Sequence, residues 1–118
     1  TVTTQVDIND TTTIDSYKVS TTNTSPTVAL TLDSTIYKSF EFTIQGTEGT
    51  NFHAAKIHGV ADSAATPNVF ANEYSSVYNN SEVGTFEVTG TLGGIRLLVT
   101  SSSASQTDYI INVIATKV

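Results

Sequence analysis

Hydrophobic and polar residues alternate along most of this chain with a period of two. That is the repeat of a strand showing one face to a core and the other to water. The clearest case is Ile36 to Gln45, where Phe40, Phe42 and Ile44 share one face and Ser39, Glu41, Thr43 and Gln45 the other. Thr27 to Leu32 sets Val28, Leu30 and Leu32 together, and Phe52 to Ala61 does the same with Ala55 and Ile57. Val69 to Tyr78 alternates Phe70, Tyr74 and Tyr78 against Val69, Ala71 and Val77. Ile14 to Ser20, Val83 to Thr89 and Tyr109 to Val118 complete the set with weaker patterns.

One run breaks the alternation. Gly94 to Thr100 is almost continuously apolar, too short for a buried helix, and bounded by Gly93 and by three serines. It reads as a strand covered on both faces, with Arg96 meeting solvent or a carboxylate at an end or edge. Turn chemistry separates the strands: Thr21 to Pro26, Asp33-Ser34, Gly46 to Gly49, Asp62 to Pro67, Gly90 to Gly94 and Ser101 to Gln106. Asn79-Asn80 suits a tight turn, because Asn tolerates positive φ.

No segment shows a helical period, and about eight strands at a spacing of roughly 8–12 residues predict an all-β fold. The expected architecture is a two-sheet antiparallel β-sandwich, Greek-key or jelly-roll-like, over residues 14–118. Residues 1–13 carry Val2, Val6 and Ile8 among polar neighbours and read as an extended N-terminal arm with a short strand around Val2 to Ile8, an arm that frays in a monomer or lies across a neighbouring subunit.

At 118 residues the chain is expected to hold one domain. It has no Cys, which excludes disulfides and thiolate metal sites, and no Met, so it reads as trimmed or as a fragment. No apolar run approaches bilayer length, and the sequence as given reads as retaining no signal peptide. The net charge is −6, and the five basic residues Lys18, Lys38, Lys56, Arg96 and Lys117 are scattered. Neither nucleic acid nor an anionic membrane suits such a surface.

The chemistry-bearing residues are sparse. His53 and His58, the two histidines, fall on opposite faces of a regular strand, so they cannot share a metal and read as surface or loop residues. Asp7-Ile8-Asn9-Asp10 opens like an acidic calcium loop but lacks the turn glycine and the closing glutamate. The other carboxylates are spread over separate strands and turns, and no nucleophile elbow or phosphate-binding glycine loop occurs. No enzyme activity, metal or cofactor is expected. Three glycosylation-type triplets, at Asn9, Asn23 and Asn79, are what a Thr- and Ser-rich chain produces by chance. Tyr74 and Tyr78, with Asn79 and Asn80 beside them, are the candidate contacts for a sugar or a partner protein. The alternative is that the tyrosines are sandwich core with hydroxyls at the rim.

The order of these pieces resembles a family. Ile36 to Gln45 is similar to a "YRSAKYLVQ"-like strand in β-rich virion structural proteins of tailed bacteriophages, marine T4-like phages especially. Ala55 to Asp62 stands where the family has a His-Asp turn, although here His58 and Asp62 are separated. Val69 to Tyr74 matches a Tyr-x-x-Glu-Tyr strand, Gly84 to Val88 a Gly-Thr-Phe strand, and Gly93 to Thr100 the most specific element, GGIRLLVT. The likeness covers residues 36–118. It implies a non-catalytic virion component, tail-fibre-like or head-decorating, whose partners are other copies of itself and other virion proteins. The alternative function is a receptor- or glycan-binding adhesion module of a tail fibre, facing a host-surface glycan. If residues 1–13 are an assembly arm, deleting them should weaken incorporation into particles while the sandwich stays folded; unchanged incorporation would count against the arm.

Overall fold

In the computed structural model, which describes residues 5–118, the alternation resolves into nine strands. They are β1 (Val6–Ile8), β2 (Thr12–Thr21), β3 (Thr27–Asp33), β4 (Tyr37–Glu48), β5 (Asn51–Ala61), β6 (Val69–Tyr78), β7 (Gly84–Thr91), β8 (Gly94–Ser101) and β9 (Thr107–Lys117). Every pairing is antiparallel, and among the described residues no helix forms. A six-stranded sheet, in order β1-β2-β9-β4-β5-β6, faces a three-stranded sheet in order β3-β8-β7. The nesting of β2 with β9 and β3 with β8 is of the jelly-roll kind, while β4-β5-β6 stays in one sheet as a meander.

The inward residues of the larger sheet are Phe40, Phe42, Ile44, Ile57, Tyr109, Ile111, Val113 and Ala115, met from the smaller sheet by Leu30, Leu32, Ile95, Leu97 and Val99. Phe40 and Phe42 stack with centroids 4.8 Å apart. Room for Phe40 comes from β5, whose inward positions include Ala55, Gly59 and Ala61; a Cβ at Gly59 would run into the Phe40 ring.

Several details differ from what the pattern predicts. β8 is buried along one face only: Ile95, Leu97 and Val99 point in, while Arg96, Leu98 and Thr100 are half-buried on the outside. In β3 a bulge at Ala29 turns Val28 outward, away from Leu30 and Leu32. Gly46 belongs to β4 rather than to a turn; a Cβ there would press on Val83 and the Tyr109 ring at 3.1–3.3 Å. The β4–β5 turn is Gly49-Thr50, with Gly49 at φ +60°. Asn79-Asn80 is no tight turn but part of the crossover from one sheet to the other, and the non-glycine positive φ angles fall at Asn9 and Asp10.

Over its described part the N-terminal segment runs as a short strand beside β2. Val6, Asp7 and Ile8 pair with Ile14, Thr13 and Thr12, and Lys117 fastens this hairpin through Asp7 at 3.1 Å and Asp10 at 2.7 Å. Thr12 and Thr13 already belong to β2, so a truncation meant to spare the sandwich must stop before them. Val2 lies outside the described residues.

A seam of polar and aromatic side chains crosses the interior. Tyr109, fully buried, shares a hydrogen bond with Ser101 Oγ at 2.8 Å, and Ser101 Oγ with Thr21 Oγ1 at 2.5 Å. The Tyr109 ring meets Phe86 edge-on at 5.9 Å, and Phe86 lies 5.5 Å from His53. His53 is therefore a core residue and not a surface one, 3% exposed. Its Nδ1 accepts from the Val83 amide, so Nε2 carries the proton toward Ser76 Oγ at 2.8 Å. Tyr109→Phe removes one buried hydroxyl from this chain and should cost about 1 kcal/mol in a urea titration with an unchanged slope. No loss would mean that this hydroxyl contributes nothing to stability.

Candidate functional site

With one face of the larger sheet on the core, its other face is open, and the strand registers order its side chains in rows across the strands. The first row runs Ile8, Thr12, Thr116, Ser39, Val60, Phe70; the second Val6, Ile14, Ile114, Glu41, His58, Asn72. The third is polar throughout: Ser16, Asn112, Thr43, Lys56, Ser75. The fourth is Lys18, Ile110, Gln45, Ala54, Val77, and the fifth Ser20, Asp108, Thr47, Phe52. Large apolar side chains here remain open to water, most of all Phe70 at 64% and Val77 at 66% exposed.

Tyr74 and Tyr78 do not share a face with each other. The register of β6 against β5 skips Tyr74, since Lys56 pairs with Ser75 and Ile57 with Glu73. This bulge flips the parity of the strand. Tyr74 consequently joins Phe70 on the open face, where its hydroxyl donates to Glu41 Oε2 at 3.1 Å. Beside it Ser39, His58, Val60, Phe70 and Asn72 line a shallow, open depression of about 400 Å³. Tyr78 turns to the inner side and meets His53 edge-on at 5.6 Å. Partial burial first, then the bond to Glu41 and its charge, raise the Tyr74 phenol above its ordinary pKa.

Asn79 and Asn80 are occupied by the fold. Asn79 Oδ1 accepts from the Phe52 amide at 2.9 Å and its Nδ2 donates to the Thr50 carbonyl at 3.0 Å, extending the sheet by one imitation residue. Asn80 Nδ2 donates to Asn51 Oδ1. Four carboxylates are likewise committed locally. Asp62 accepts from the Ala64 and Asn68 amides and the Asn68 side chain, Asp33 from Thr35, Glu48 from Ser103 and Asn51, Asp108 from Ser20 and Gln106. These bonds hold all four below their ordinary pKa.

Val6 and Ile8 fall on the open face as a continuation of its first two rows. Arg96 stands on the outer side of the smaller sheet between Thr31 and Thr89; its Nε and Thr89 Oγ1 are enclosed without a hydrogen-bond partner. Among the described residues, no three His, Cys, Asp or Glu side chains converge as a metal site would require. The site that sequence reasoning missed is the constellation of Glu41, His58, Phe70 and Asn72 around Tyr74. Glu41 and His58 each carried a signal, being polar residues on the outward face of confidently read strands.

Compared with known proteins, the chain matches no protein-family model and no curated protein. Among solved structures it is similar to the tailspike protein of Acinetobacter baumannii phage AM24, with a TM-score of 0.54 and 10% sequence identity over 90% of this chain. The chain spans about a quarter of that protein, 26% of its length. The likeness is one of fold: a β-rich domain of this arrangement occurs within a phage tail protein.

If Glu41 holds the Tyr74 phenol as described, Glu41→Gln should lower the Tyr74 pKa, read as the ultraviolet difference titration between each protein and its Tyr74→Phe counterpart. An unchanged titration would show that Glu41 does not act on it.

Proposed function

We propose that the chain is a non-catalytic structural module of a tailed-phage particle, capsid decoration or fibre-type, exposed on the virion and acting by packing against other subunits. The observation that carries this reading is the open, partly apolar face of the six-stranded sheet. Phe70 and Val77 belong to a face of outward apolar side chains that a contact with another subunit would cover. The fold likeness to a tailspike segment and the resemblance of residues 36–118 to virion proteins support the same reading. Four of the eleven carboxylates, Asp33, Glu48, Asp62 and Asp108, are tied up in turn and strand-end hydrogen bonds and are poorly placed for acid–base work, in keeping with the non-catalytic part.

A second reading has one specific observation in its favour. Tyr74 and Phe70 supply aromatic surface beside Glu41, His58 and Asn72, and sugars bind shallow sites of that composition by stacking together with planar polar groups. It would make the module a receptor- or glycan-binding part of a tail fibre.

Chemical cross-linking of intact particles, read by mass spectrometry, tests the first reading. Cross-links from Lys18 and Lys56 to other virion subunits are expected, and a chain absent from purified particles would end it. A glycan array run with Tyr74→Ala, and with Tyr78→Ala as the inner-face control, tests the second. Binding lost in Tyr74→Ala alone would favour adhesion, and no binding by the parent protein would remove that reading.

A further inference from the structure

We propose that the open face of the six-stranded sheet is an interface between two copies of this chain, related by a two-fold axis that crosses the strands at the Asn112–Thr43 row. This does not depend on the virion assignment, since self-association belongs to the purified chain.

Charge points to a second copy as the occupant. The face carries Lys18 and Lys56 against Glu41 and Asp108, two positive and two negative, so it is neutral. The chain as a whole carries −6, and all of that excess therefore lies elsewhere on the molecule. Two copies meeting through this face avoid the repulsion that their remaining surfaces would impose.

Part of the apolar arrangement is itself two-fold, in β9 and β5. Row three is polar; rows one and two on one side hold Ile14, Ile114, Val60 and Phe70, and rows four and five on the other hold Ile110, Val77 and Phe52. An in-plane axis along row three lays row two over the copy's row four and row one over its row five. Ile114 then covers the copy's Ile110, Val60 covers Phe52, and Asn112 meets Asn112. Each Lys56 has the copy's Glu41 one strand and one row away, within reach of its four-carbon stem. An axis along β4 is inferior, because it sets Glu41 against Glu41 and Phe70 over Thr12, and an axis between β9 and β4 sets the charged Glu41 over Ile114.

Size agrees. Strand and residue spacings give the face an area on the order of 800 Å², about what each partner contributes to a stable interface. Sheets packed face to face align within about 30°, which keeps these rows in contact. Val6 and Ile8 extend the second and first rows outward, giving the N-terminal hairpin a place at the margin.

Analytical ultracentrifugation of the purified chain up to the order of 100 µM should show a concentration-dependent dimer. Ile114→Lys and Val60→Glu change outward side chains only, and each should give a monomer with an unchanged thermal midpoint. Because the chain has no cysteine, Asn112→Cys supplies a single thiol on the proposed axis, and a short bismaleimide should link it as a dimer. Thr31→Cys, exposed on the outer side of the smaller sheet, should remain unlinked. A parent chain that stays monomeric, a trimer, a dimer untouched by both charge substitutions, or equal linking at positions 112 and 31 would each overturn the proposal.

Discussion

The sandwich depends on β9 lying between β2 and β4 with its alternate side chains pressed into the core. Tyr109, Ile111, Val113 and Ala115 project inward from it, and both neighbouring strands take their register from its backbone. Without this strand the larger sheet falls into two separate pieces, a β1–β2 hairpin and the β4-β5-β6 meander. Its hydroxyl at Tyr109 also ties the last strand to Ser101 of β8, so one element serves both sheets. Apolar burial supplies the attraction between sheets, and the buried hydroxyl chain fixes how they align.

Much of this was legible because strand alternation reports which face a sheet buries. β4 is the plainest instance: Phe40, Phe42 and Ile44 are buried as their spacing requires. The all-β class, the two antiparallel sheets and the strand order along the chain follow from the same signal. Where reading failed, the cause was a contact or an offset that has no local signature. Leu98 made β8 look buried on both faces, although it sits half-buried on the outside. The bulge at Tyr74 reversed the parity of β6, so Tyr74 and Tyr78, four residues apart and on one face in an unbroken alternation, point to opposite sides. His53 is accommodated in the core only because Ser76 and the Val83 amide satisfy both ring nitrogens, and neither partner is adjacent in sequence.

The candidate surface was harder to see than the fold. An outward residue on a strand is normally polar, and single exposed apolar residues mean little. Only the registers show that Ile14 and Ile114 are direct neighbours, and that Val60 and Phe70 are. Asn79 and Asn80 illustrate the opposite error. Their amides invite a ligand on paper, yet they close the end of the sheet by bonding to Phe52, Thr50 and Asn51.

The central place of β9 also bears on how the chain acquires its shape. Ile14 pairs with Ile114 and Thr12 with Thr116, contacts separated by about the whole chain. Loop closure over such spans is slow, and a nascent chain emerging from the ribosome holds β2 and β4 without the strand that joins them. Folding of the larger sheet must wait for β9, and until then the edges of β2 and β4, with unpaired backbone N–H and C=O groups, stay open to chaperones or to one another.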